Sequence, residues 1–150
     1  MSKPPITSHP LTASSVQFRE VEHTADLSLW ARGDTLAELF ANVAAGMYAL
    51  GLGDDAATIQ SAVERVVEVA GIDAETLLVN WLNELLYYTE TEGLVFGQFE
   101  VVEIGADHLR SIARGQAGLR LQRIVKAATF HGLEIASGRD GYEVTIVFDM

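Results

Sequence analysis

The chain has 150 residues, of which 49% are hydrophobic, enough to enclose one sizeable core in one domain, and it has no cysteine. Disulfides, thiolate zinc sites and cysteine nucleophiles are thereby excluded, so any bound metal must use oxygen or imidazole. A formal charge of -11 opposes tight solitary binding to nucleic acid, whose phosphates attract lysine and arginine.

Residues 1–16 are rich in Ser, Thr and Pro and lack apolar periodicity, which reads as a loose tail preceding a single domain over 17–150. This stretch has no apolar leader core, and no run in the chain approaches the roughly 18 residues a membrane span needs, so a cytoplasmic location without membrane association is expected. Residues 18–22 and 27–31 suit two short strands, split by the polar His23-Thr24-Ala25-Asp26. Asp34 or Thr35 can cap a first helix, with Thr35 and Glu38 at capping-box spacing. Leu36, Leu39, Phe40, Val43, Met47 and Leu50 then fall on one helical face, and Gly51 or Gly53 can end it.

Residues 61–70 read as a β-branched strand broken by Gly71. Asp73 caps a second helix whose buried stripe is Leu78, Trp81, Leu82 and Leu85, widened by Leu77 and Leu86, until Gly93 stops it. From there the period changes to two. Residues 94–104, 108–118, 125–135 and 142–149 suit strands, with a turn at 137–141. Strands and helices in this order do not alternate regularly as in a doubly wound parallel fold, so an α+β fold is expected: two layers, a mixed or antiparallel sheet covered by two helices.

Charge is unevenly distributed. Between Arg65 and Arg110 there is no basic residue, whereas Arg110, Arg114, Arg120, Arg123, Lys126 and Arg139 follow with Glu134 alone opposing them. These cations are either solvated strand faces or a docking face for a phosphate or a protein partner.

Three stretches could carry chemistry. Val144, Ile146 and Phe148 alternate along a final strand and bring Asp149 and Met150 to its rim, where a carboxylate beside a terminal carboxylate either stays solvated or is offset by a cation. Asp26 is by residue type either a turn residue or, paired in space with Asp149, part of an all-oxygen cluster suited to Ca²⁺ or Mg²⁺. In the stretch 126–131, strand alternation would put Lys126, Ala128 and Phe130 on one side and Ala127, Thr129 and His131 on the other. His23 and His131 suit packing, hydrogen bonding or ligation alike. P-loop, dinucleotide-binding, H-E-x-x-H, G-x-S-x-G and EF-hand patterns are all absent, and no obvious nucleophile remains.

Four segments, in order and spacing, resemble the archease family, small proteins that assist RtcB-type RNA ligases in tRNA splicing and RNA repair. They are Phe18 with Glu22-His23-Thr24-Ala25-Asp26, then Trp81-Leu82-Asn83-Glu84-Leu85-Leu86, then the K-A-x-T-aromatic-H stretch from Lys126 to His131, and the ending Val147-Phe148-Asp149-Met150. Leu27, Phe130 and Met150 depart conservatively from the usual residues, so position 130 offers no phenol. The resemblance covers 18–150 and implies nested strand-helix-strand-strand modules. It also implies a divalent cation site, Ca²⁺ first and Mg²⁺ or Mn²⁺ next, with Asp26 and Asp149 as side-chain ligands and Met150 giving a terminal or main-chain oxygen. By the same likeness Lys126, with His23 and His131, would meet the partner or its phosphate. The implied role is a non-catalytic activator of ligase guanylylation and repeated turnover, working as a monomer or weak homo-oligomer and touching RNA through the ligase. Two other classes compete: a stand-alone metal-dependent hydrolase with His23, His131, Asp26 and Asp149 as ligands, and a metal-free acidic scaffold.

Overall fold

The computed structural model describes residues 17–21, 27–53 and 59–150. In chain order they form β1 (Phe18–Val21), β2 (Leu27–Gly33), α1 (Leu36–Leu52), β3 (Val63–Ala70), α2 (Ala74–Glu92), β4 (Leu94–Ile104), β5 (His108–Ala117), β6 (Ala127–Ala128), β7 (Ala136–Gly138) and β8 (Gly141–Asp149). The expected tail over 1–16 lies outside the described residues, as do Glu22, His23, Thr24, Ala25 and Asp26.

Both helices begin where side chains satisfy backbone donors that the first turn leaves unpaired. The Thr35 hydroxyl accepts the Glu38 N–H at 3.1 Å, and the Glu38 carboxylate takes the Asp34 N–H at 3.0 Å, a capping box whose return bond reaches one residue further back. At α2 the Asp73 carboxylate accepts the Thr76 hydroxyl at 2.6 Å and the Thr76 N–H at 2.8 Å. These two bonds favour the ionised form and hold Asp73 below the usual carboxylate pKa. Gly93, at φ 69°, closes α2 in the left-handed conformation and donates its N–H to Thr89.

The strands sort into two antiparallel sheets, β1-β2-β8-β6 with β7 also on β8, and β3-β5-β4. The second sheet and α2 come from one continuous stretch lying between α1 and β6, so one strand-helix-strand-strand unit is inserted inside another. The expected α+β class and nested modules are both present. Helix α1 packs on β2 and β4, and α2 on β3 and β6, so each helix touches both sheets. A Cβ at Gly46 would meet the Leu29 and Phe18 side chains at 2.8 Å, and glycine there lets α1 approach β1 and β2 closely.

The apolar stripes read from the sequence meet in one core. Trp81, fully buried, stacks on Phe40 of α1 and sets its edge toward Phe99 of β4, each at 6.0 Å between centroids, which joins the two modules. Its indole N–H donates to the Ser111 hydroxyl at 2.8 Å, which donates to the Val67 carbonyl at 3.1 Å, so this polar chain is satisfied inside the core. Tyr48 of α1 pairs its hydroxyl with Thr89 of α2 at 2.6 Å, and burial pushes the phenol above its usual pKa. On the other face of β2, the Arg19 guanidinium lies over the Trp30 ring at 5.3 Å, and the indole N–H donates to Glu143 at 3.0 Å.

One strand is much shorter than its pattern suggests. Of residues 125–135, Ala127 and Ala128 alone pair as β6, and the chain then turns, with the Leu133 N–H donating to the Phe130 carbonyl at 3.1 Å. Gly132, at φ 62°, occupies a conformation that side chains rarely adopt, which ends the ladder. The facing expected for Phe130 and His131 fails with it, since Ala128 is buried while Phe130 and His131 are exposed.

Candidate metal centre

The candidate centre lies where β8 ends. Register pairs Leu27 with Phe148 on one side of β8 and Ala127 with Asp149 on the other. Alternation turns Phe148 into the core with no exposure, so Asp149 points away from it and is exposed. Its main chain is held in place, because the Asp149 carbonyl accepts the Lys126 N–H at 2.8 Å. Its carboxylate has no hydrogen bond or ion pair among the described residues. Met150 is half-buried and packs against the core, which anchors the chain beyond Asp149.

The two-residue β6 is held from both sides, by α2 and by β8. The Asn83 side chain accepts the Ala128 N–H at 2.8 Å and donates to the Ala128 carbonyl at 3.3 Å, so an amide from α2 stands where a further strand would pair. The Thr129 N–H and hydroxyl each donate to the Val147 carbonyl at 3.0 Å. Asn83 was missed as a positioning residue. The available signal was a polar side chain of poor helix propensity set between Leu82 and Leu85.

Of the residues picked out as ligands or contacts, the structure places Asp149, Met150 and Lys126 together at this end. Lys126 is exposed immediately before β6. His131 is exposed in the turn beyond β6, and its N–H donates to the Thr129 hydroxyl at 3.3 Å. Because β6 runs antiparallel to β8, Ala128 and Thr129 lie opposite Phe148 and Val147, before the chain turns at Phe130. Asp26 and His23 lie outside the described residues. Among the described residues no cluster of three or more His, Cys, Asp or Glu could hold a metal. The described donors fit a hard cation in kind, being an unpaired carboxylate and a main-chain oxygen, and leave the rest of its six to eight oxygens to Asp26, solvent or a partner.

Half of the basic segment is neutralised. Arg114 meets Glu64 at 2.8 Å and Glu100 at 3.4 Å, which raises its pKa, Arg110 meets Glu103 at 3.7 Å, and Arg123 meets Glu20 at 3.2 Å. Arg120, Lys126 and Arg139 make no such pair among the described residues. Continuous docking along 110–139 is therefore not what this surface offers.

A strand-helix-strand-strand unit nested in another, with an exposed carboxylate at the end of its last strand, defines a small α+β protein of two antiparallel sheets. The chain belongs to the Archease protein family, whose model matches residues 18–150. It is 33% identical over 142 residues to the archease of Methanosarcina acetivorans, covering 89% of this chain and 96% of that one. To the archease of Pyrococcus furiosus it is 38% identical over 133 residues, covering 83% and 92%. The solution structure of a Methanobacterium thermoautotrophicum protein superposes with a TM-score of 0.75 at 33% identity, covering 89% of this chain and 98% of that one. A Thermotoga maritima crystal structure, described as an archease and possible chaperone, shares the fold with a TM-score of 0.58 at 19% identity, covering 88% and 96%. No described helix is long and apolar enough to cross a membrane.

Proposed function

We propose that this protein is a non-catalytic activator of an RtcB-type RNA ligase. In this reading Asp149, Asp26 and the Met150 main-chain oxygen hold a divalent cation, Ca²⁺ first, and present it to the ligase's metal- and phosphate-binding cleft during guanylylation in the cytosol. The observation that carries it is the Asp149 carboxylate, exposed and without a partner among the described residues on a strand end whose main chain is held by Lys126. Asp26 is bonded to Leu27, whose register partner is Phe148, which in turn is bonded to Asp149. Bringing two carboxylates together is unfavourable without a counter-charge, and a hard cation supplies it. RNA is reached through the ligase, since a net charge of -11 repels phosphate.

The test combines metal binding with turnover. Ca²⁺ at about 100 times its Kd should stabilise the fold by about 2.7 kcal/mol. Asp149→Asn should remove that gain while leaving the metal-free stability within about 0.5 kcal/mol, as expected of an exposed side chain without partners among the described residues. The same variant should fail to stimulate guanylylation of the purified ligase over many turnovers. Full stimulation by Asp149→Asn would overturn the role of the carboxylate, and stimulation without any Ca²⁺-induced stabilisation would favour a metal-free scaffold.

A further inference from the structure

A groove of about 790 Å³ runs between the C-terminal half of α2 and residues 119–127, ending at Lys126 and Ala127 beside Asp149. Leu86 and Tyr87 form one wall, Leu121 and Ile124 the other. Ile124 is 67% exposed and Tyr87 56% exposed, a large apolar area for a solvated surface. The wall is not loose, because the Gln122 and Arg123 N–H groups both donate to the Gly51 carbonyl, at 2.7 and 3.1 Å, and Arg123 pairs with Glu20. Ile124 is therefore presented to solvent on a held backbone.

Charge selects the occupant. Lys126 on one wall and Glu90 on the other are both exposed and neither has an ion-pair partner among the described residues. A nucleic-acid strand would meet Glu90 in the groove and a net charge of -11 around it, and a second copy would bring another -11. A protein segment with apolar side chains, flanked by a carboxylate for Lys126 and a cation for Glu90, satisfies every exposed group. We propose that this groove docks such a segment of the partner protein, fixing the position from which Asp149 reaches the partner's active site. This inference rests on the proposed function and adds where affinity resides: in the groove, separately from the carboxylate end.

The experiment measures the Kd of the full chain for a purified RtcB-type ligase of the same organism, together with guanylylation at saturating protein. Ile124→Glu and Tyr87→Ser should each raise the Kd about tenfold or more, as for apolar anchors at interface centres. At saturation both should still stimulate guanylylation like the unaltered chain, with unchanged thermal melts. Ile72→Glu is the control, since Ile72 is 88% exposed but sits before the opposite end of α2. A Kd unmoved by both groove variants, or moved equally by the control, would overturn the groove while leaving the activator role intact. Tight binding through the groove without stimulation would overturn the activator role and keep the groove. Absence of any binding by the unaltered chain would overturn both, and concentration-dependent self-association lost in Ile124→Glu would assign the groove to a second copy instead.

Discussion

The outer face of the β3-β5-β4 sheet and the end of β8 both carry charge, but in opposite conditions. On that face Arg110 and Arg114 each have a glutamate within 4.0 Å, and at its edge Arg65 pairs with Glu92 of α2, so the charges of this module answer one another. At the end of β8, Asp149 and Lys126 have no side-chain partner among the described residues. The arginines of the inserted sheet are thus answered within their own module, while the outer module leaves its last strand with charge available to something outside the chain. Paired surface charge contributes little and invites nothing, whereas unpaired charge on a held backbone is where recognition is economical.

That contrast can be broken at its base. Trp81→Ala removes the ring that joins the modules and leaves Ser111 without its donor, and should cost about 3–5 kcal/mol in denaturant unfolding. Loss of less than about 1 kcal/mol would mean that the two modules do not share one cooperative core. Asn83→Ala strips both partners from Ala128, and at about 1–3 kcal/mol for unsatisfied buried backbone groups it should be the next largest. Hydrogen exchange should then accelerate at Ala128 and Thr129 and leave β3 and β5 protected. Equal acceleration in both sheets would contradict the local role of the clamp.

A subtler effect appears in acid. Asp73 is ionised more readily in the folded chain than in the unfolded one, so its contribution is present above the ordinary carboxylate pKa and is lost as pH falls through the lower folded value. Asp73→Asn should flatten this part of the stability profile, and an unaltered acid limb would show that the cap does not contribute to it. The smallest change is expected at a surface ion pair of the same module, where Arg65→Ala, which frees Glu92 of α2, should shift stability by about 0–1 kcal/mol and less at high salt. A larger loss would mean that the ion-paired sheet is held by its charges after all.

Residues 125–135 show where sequence patterning stops being sufficient. Their apolar and β-branched content suits an eleven-residue strand, yet two residues pair, because Gly132 turns the chain and Asn83, distant in sequence, occupies the edge at Ala128. The basic segment misleads in a similar way: Arg114 looks available until folding brings Glu64 and Glu100 beside it. Candidate ligands were legible as residue types at strand ends, and Asp149, Met150 and Lys126 do gather at one end of the fold. The groove was not legible, since its walls are separated along the chain and only folding sets them side by side.

Sequence by itself determined the helices with their Thr35, Asp73 and Gly93 boundaries, the apolar stripes and the α+β class. These follow from hydrogen bonds and periodicities spanning a few positions, which need no distant partner. Tertiary structure alone decided the division into two sheets, the clamp of Asn83 on Ala128, the neutralisation of Arg110, Arg114 and Arg123, and the groove that ends beside Asp149. Each of these depends on which residues far apart in the chain come within hydrogen-bond or Coulombic reach, and that is set by how the whole core packs.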